Sequence, residues 1–114
     1  MTEETLFTKI INRQIPADIV YEDAHCIAIR DINPQAPVHL LLIPKKPIDR
    51  LSNAQADDAA LLGHLMLAVG RITRDLKIDH AFRLAVNNGA EAGQSVFHLH
   101  LHILAGRPLQ WPPG

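Results

Sequence analysis

Apolar and polar residues alternate with a period of two along Val96-Phe97-His98-Leu99-His100-Leu101-His102-Ile103, the pattern of a half-buried strand. Successive side chains of a strand point to opposite faces. The pattern therefore predicts Leu99, Leu101 and Ile103 facing a core, with His98, His100 and His102 as a ladder on the other face, neighbours about 6–7 Å apart. Upstream, Val38, Leu40, Leu41, Leu42 and Ile43 enclose one polar residue, His39, and this near-continuous apolar run predicts a central strand stopped by Pro44-Lys45-Lys46-Pro47.

The remaining pattern supplies two helices and three more strands. Leu6, Phe7, Ile10 and Ile11 recur at helical spacing behind Thr5, an N-cap residue, and Pro16 ends the pattern. Ile19-Val20-Tyr21 and Cys26-Ile27-Ala28-Ile29, joined by Glu22-Asp23-Ala24-His25, predict a hairpin. Residues 31–37 hold two prolines and form a loop. Ser52-Asn53-Ala54-Gln55 has the form of a capping box. It predicts a long helix to about Leu76, with Leu62, Leu65, Met66, Val69, Ile72 and Leu76 on one stripe. Gly63 and Gly70, seven apart on that helix, share a face and cost about 1 kcal/mol each relative to Ala. They mark either a close approach of another backbone or simple tolerance. Residues 81–86 predict a further strand. The glycine-containing segment 87–95 is too long for an economical hairpin and reads as a functional loop. The order helix, three strands, long helix, two strands defines an α+β domain with an antiparallel sheet. Residues 105–114, with three prolines and the only tryptophan, Trp111, form an irregular tail expected to dock against something.

Composition narrows the class. With 114 residues, 47% hydrophobic and 20% charged, the chain reads as one soluble domain spanning residues 1–114. A net charge of −1 provides no basic footprint for a nucleic acid polymer. The run from 59 to 69 is too short to span a bilayer, and the acidic start Met1-Thr2-Glu3-Glu4-Thr5 resembles neither a signal nor a transit peptide. The lone Cys26 excludes an intrachain disulfide and reads as a small buried apolar residue. A cytoplasmic location is the expectation.

Three of the seven histidines fall within five residues, and three kinds of chemistry compete for them. A metal site is one, but the outer pair of a flat ladder lies about 13 Å apart at the backbone, so His39 or Asp31 would have to complete it. A polar sheet face of satisfied histidines is the second. The third is nucleophilic attack on phosphorus: neutral imidazole is populated near neutral pH and is a good nucleophile. The preceding loop offers Gly89, Gly93 and the Ser95 hydroxyl to phosphate oxygens. Asp31, after a strand, suits the two hydroxyls of a ribose, and equally well caps the turn at Asn33-Pro34.

The segment Gln94-Ser95-Val96-Phe97-His98-Leu99-His100-Leu101-His102-Ile103-Leu104 matches the His-φ-His-φ-His-φ-φ motif of the histidine triad (HIT) superfamily. The chain more narrowly resembles its Hint branch, the histidine triad nucleotide-binding proteins with phosphoramidase activity. Phe7-Thr8-Lys9-Ile10-Ile11, Ile15-Pro16, Arg30-Asp31-Ile32-Asn33-Pro34-Gln35-Ala36-Pro37-Val38-His39, Leu42-Ile43-Pro44-Lys45-Lys46 and the Trp111-Pro112-Pro113-Gly114 ending carry the likeness over essentially the whole chain.

The resemblance implies a five-stranded antiparallel sheet with two helices, and a homodimer in which two sheets join into ten strands. It implies a purine nucleoside phosphoramidase, with a purine nucleotide as its small-molecule partner, needing no cofactor and no metal. By position, His100 matches the nucleophile that takes the nucleotidyl group, His102 the residue bonded to the α-phosphate, and His98 the one that orients the nucleophile. His39 matches the fourth histidine behind the triad. Asn87, Gly93 and Ser95 match phosphate-side contacts, with Val96 beside them and Ser95 near the leaving amine. Asp31 matches the ribose carboxylate, while Ile32, Leu6, Phe7 and Ile10 match walls around the purine. Trp111 matches a tail residue near the partner subunit's site. Ile29 stands where many members carry Phe against the base, which alters stacking more than chemistry. The branch that cleaves dinucleoside polyphosphates shares the triad, and a nucleotide-responsive binding protein with slow turnover would use the same site.

Overall fold

Thr5 starts the first helix: its hydroxyl accepts from the Thr8 N–H, and the Thr8 hydroxyl accepts from the Thr5 N–H, satisfying donors that helix starts leave unpaired. Residues 4–114 are described by the computed structural model. Helix α1 covers Leu6–Ile11 and buries Phe7 and Ile10, three residues apart on one face. Strands β1 (Ile19–Glu22) and β2 (Cys26–Arg30) follow as the expected hairpin. The Asp23 carboxylate accepts from the backbone N–H groups of His25 and Cys26 at 2.8 and 2.9 Å and closes its turn. Strand β3 is Val38–Pro44, helix α2 Ala59–Asp75, β4 Phe82–Ala85 and β5 Leu101–Ala105. The sheet order is β1-β2-β3-β5-β4, antiparallel throughout. β3 is central, as its apolar run predicts.

Alternation divides the sheet into two faces. Cys26 and Ala28 of β2, Leu40 and Leu42 of β3 and Leu101 and Ile103 of β5 pack against Leu65, Ala68, Val69 and Ile72 of α2. On the other face, Ile27, Ile29, Leu41 and Ile43 pack against Phe7 and Ile10 of α1. α1 is too short to cover this face, and the remainder is where the histidines lie.

Three expectations are corrected. The capping box forms three residues later than Ser52 predicts: the Asp58 carboxylate accepts from the Gln55 N–H at 2.8 Å. Two short 3-10 turns, Leu51–Asn53 and Ala56–Asp58, precede α2. The Ser52 N–H is instead taken by the Asn88 side chain. The buried stripe of α2 is Leu65, Ala68, Val69, Ile72 and Thr73, leaving Met66 and Leu76 exposed. Thr73 can enter the core because its hydroxyl is satisfied within the helix, donating to the Val69 carbonyl at 2.8 Å. Finally, the histidine ladder does not lie on one strand. β5 begins at Leu101, and its pairing with β3 ends at Leu42↔Leu101. Pro44 has no N–H to extend that ladder; its carbonyl accepts from the His98 ring, and the Leu99 N–H turns to the Ile48 carbonyl. His98, Leu99 and His100 are all buried in consequence.

The tail after β5 is irregular, tied by the Arg83 guanidinium to the Gln110 carbonyl. Trp111 is 81% exposed and docks on nothing within its own chain. Gly63 is open, and a Cβ at Gly70 would meet only the Arg74 side chain, so neither glycine serves a backbone approach inside the chain. Among the described residues, no helix is long and apolar enough to cross a membrane.

Candidate active site

The uncovered part of the α1 face is a pocket of about 540 Å³, the size of small-molecule sites. Leu6, Phe7, Ile10, Ile29 and Ile32 form apolar wall, and Asp31, Ser95, Val96, His100 and His102 also line it. His102 projects from β5 opposite Leu41 of β3. His100 arrives from the irregular segment before β5 with its ring 5.0 Å from that of His102 and edge-on to Phe7 at 4.9 Å. Ten of the sequence-selected residues thus share one cavity.

The hydrogen bonds fix which nitrogen of each imidazole carries the proton. His39 Nδ1 accepts from the Gln35 N–H at 3.0 Å. Its proton therefore sits on Nε2, which donates to His102 Nδ1 at 2.9 Å. His102 is left with Nε2–H as a donor. His100 Nδ1 donates to the His98 carbonyl at 2.8 Å, which leaves the lone pair on Nε2. His98 Nε2 donates to the Pro44 carbonyl at 2.7 Å. Its Nδ1 is the only buried side-chain polar atom without a partner among the described residues. The free Nε2 atoms of His100 and His102 are not sealed in this way; they open to the pocket. The result is one imidazole presenting a lone pair beside one presenting a donor.

Burial keeps these rings neutral. It pushes His98 and His100 below the usual imidazole value, although each gains a carbonyl acceptor that favours the charged form. His102 falls to about 4, first through burial and then through the neighbouring His100 and His39 rings. An unprotonated His100 is the nucleophilic form.

Asp31 caps its turn and also lines the pocket. Oδ1 accepts from the Asn33 N–H at 2.8 Å. Oδ2 lies 3.5 Å from His39 Nε2. Asp31, His39 and His102 also bring three metal-competent donor atoms within 4.8 Å of one another, but His39 and His102 use theirs to share a proton.

The other selected residues stand around the pocket rather than in it. His98 supports His100 from behind, and His39 supports His102. Gly93, at φ +95, takes the left-handed conformation that closes the 3-10 turn Ala90–Ala92. A Cβ there would stand 3.5 Å from the Asn87 amide. Trp111 is not brought to the pocket of its own chain.

Some positioning groups carry no signal in the pattern. Gln94 is buried, accepting from the Gly89 N–H and donating to the Asp49 and Val96 carbonyls, which fastens the loop that presents Ser95. The Gln35 N–H and the Pro44 carbonyl, which set two of the tautomers, are backbone groups that no residue type announces. Ile15, Pro16 and Ala17 complete the pocket wall; only the Ile15-Pro16 pair stood out, as part of a family likeness.

Fold and site together define a small α+β domain whose central sheet carries a neutral imidazole cluster in a ligand-sized apolar pocket. The family model described as "HIT domain" matches residues 12–109, and the chain belongs to the HIT family. It is 64% identical over 114 residues, covering all of both chains, to an uncharacterised HIT-like protein of Synechocystis sp.. Among solved structures it is similar to a HIT family hydrolase from Legionella pneumophila, with TM-score 0.95 and 42% identity over 97% of this chain and 100% of that one. It is also similar to a histidine triad nucleotide-binding protein from Candida albicans, with TM-score 0.81 and 31% identity over 96% of this chain and 83% of that one.

Proposed function

We propose that this protein hydrolyses nucleoside 5′-phosphoramidates, with purine nucleosides preferred, through a covalent nucleotidyl-His100 intermediate. The observation that carries the reading is the pairing of tautomers: a free lone pair on His100 Nε2 beside a free N–H on His102 Nε2, in a pocket with an apolar wall and one carboxylate. The purine lies among Leu6, Phe7, Ile10, Ile29 and Ile32, and Asp31 takes the ribose hydroxyls. His100 Nε2 attacks the α-phosphorus and forms a P–N bond as the bond to the substrate's amine breaks. The leaving nitrogen gains its proton through the Ser95 hydroxyl, which regains one from water. His102 and the loop 87–95, with Asn87 and Gly93, stabilise charge on the phosphoryl oxygens. Water then attacks the same phosphorus, His100 leaves, and a nucleoside monophosphate is released. Splitting one displacement into two is the benefit of covalent catalysis. The similar proteins named as a HIT family hydrolase and a histidine triad nucleotide-binding protein support the reading.

The reaction needs no metal. Adenosine 5′-phosphoramidate is expected to yield AMP and ammonia, with turnover unchanged after dialysis against a chelator. Absence of AMP formation, or turnover that vanishes on chelation and returns with zinc, would overturn the proposal. Faster cleavage of a dinucleoside polyphosphate under the same conditions would move the substrate to the related branch.

A homodimer belongs to the same proposal. Met66 is 50% and Leu67 78% exposed on the outer side of α2, next to Gly63 and Gly70, and such a face is what a second copy would cover. Trp111, free in its own chain, would then lie at the partner's pocket. Light scattering is expected to give twice the 12.6 kDa chain mass; a monomer mass refutes the dimer.

A further inference from the structure

On the face of the sheet opposite the imidazole pocket, a second group of metal-competent side chains meets where the β1–β2 turn touches α2. Donor atoms of Asp23, Cys26 and His64 all lie within 4.8 Å of one another. Cys26 Sγ stands 3.5 and 3.6 Å from the two carboxylate oxygens of Asp23, and His64 Nε2 is 2.7 Å from Oδ2. The Tyr21 hydroxyl donates to the same oxygen at 2.6 Å, and the exposed His25 ring packs edge-on against His64 at 5.0 Å.

We propose that Asp23, Cys26 and His64 bind a zinc-class divalent cation, which pins the β1–β2 turn to α2. One sulfur, one imidazole nitrogen and one carboxylate oxygen are the donors that zinc accepts. A tetrahedral zinc site, with bonds of about 2.0–2.3 Å, separates its donors by about 3.3–3.8 Å. The sulfur–carboxylate separation already has that length, and the His64–Asp23 pair needs to open by well under an ångström. The turn is held ready: Asp23 Oδ1 stays bound to two backbone N–H groups, which leaves Oδ2 to ligate.

The exchange balances. The Cys26 thiol releases its proton to solvent, and His64 moves its own from Nε2 to Nδ1, remaining neutral. The ion replaces the Tyr21 and His64 donors at Oδ2, and water or His25 takes the fourth position. The thiolate and carboxylate together neutralise a doubly charged ion. Without metal the thiol is inert, pushed up to about 12 by burial and by the adjacent Asp23.

Cobalt(II) added to the full-length protein tests this, because Cys26 is the only sulfur ligand of cysteine type in the chain. A near-ultraviolet sulfur-to-cobalt charge-transfer band is expected, saturating at one equivalent per chain. It should be absent in Cys26→Ser, weakened at least about tenfold in affinity in His64→Gln, and intact in His100→Asn. Zinc is expected to raise the melting temperature of the wild type and of His100→Asn alike. The proposal fails if cobalt binds without the sulfur band, if no cobalt binds, or if the band and its affinity survive in His64→Gln. The His64 variant, at a half-exposed position, carries the test should Cys26→Ser fold poorly.

Discussion

β3 supplies both faces of the sheet, and the two faces have opposite characters. Leu40 and Leu42 are fully buried under α2 among Leu65, Val69, Ile72 and Ile103. His39 and Leu41, on the alternate positions, face the side that α1 only half covers. A 17-residue helix seals one side, while a six-residue helix leaves a pocket on the other. The sealed face stabilises through apolar burial, which is non-directional and tolerant of small displacements. The open face depends on direction: each imidazole there is fixed by hydrogen bonding to a backbone group, to another ring, or, for His39, to both. Stability and chemistry are therefore carried by neighbouring residues of the same strands, and substitutions should separate them.

The largest separation is expected from the open face. His100→Asn should lower phosphoramidate turnover by about three orders of magnitude or more, with a melting temperature close to wild type. Leu65→Ala on the sealed face should do the reverse, costing about 2–5 kcal/mol in urea denaturation, with turnover per folded molecule unchanged. A loss of turnover in fully folded Leu65→Ala would mean that the faces are coupled.

Acid should act on the open face first. His98, His100 and His102 have values below the ordinary 6.5, with His102 at about 4. The unfolded chain thus takes up protons that the folded one refuses, and stability falls as pH drops from about 6.5 towards 4. The carboxylates of Glu22, Asp23 and Asp58 are shifted downwards by their hydrogen bonds and act at lower pH, as it falls below their ordinary range. Denaturation across this range in His102→Asn should show a shallower slope between 6.5 and 4 and an unaltered acid limb below. A slope identical to wild type would contradict the assignment.

The smallest effect probes positioning. His39→Phe removes the group that fixes the His102 tautomer while retaining a ring. Turnover should fall about tenfold at nearly constant KM, with the acid limb of its pH profile displaced, because the donor is misdirected rather than lost. A change in KM alone would assign His39 to binding.

Much of this division was legible in the sequence. The run at β3 reads as the central strand that it forms, and period-two alternation selected the histidines before any geometry was known. α1 and its Thr5 cap were equally readable. The start of α2 was not, because the Ser52 N–H is taken by the Asn88 side chain, distant in sequence, and the cap forms at Gln55 with Asp58 instead. The ladder misled in a more instructive way. Alternating polarity persists through His98 and His100, yet Pro44 has already ended the pairing that would keep them on a strand. His98 is consequently as buried as Leu99. Burial of a polar residue was invisible to the pattern, and so were Gln94, which donates to the distant Asp49 carbonyl, and Thr73, whose hydroxyl is satisfied within its own helix.

The central claim is that His100 forms a covalent bond to phosphorus while His102 and His98 serve it. Mass spectrometry of the protein quenched in alkaline denaturant, which preserves the acid-labile P–N bond, during turnover of adenosine 5′-phosphoramidate tests it most directly. The account predicts an adduct of one nucleotidyl group, mapping to the peptide that contains His100 and absent in His100→Asn. An adduct on His102 or His98, or rapid turnover in the His100→Asn variant, would contradict it.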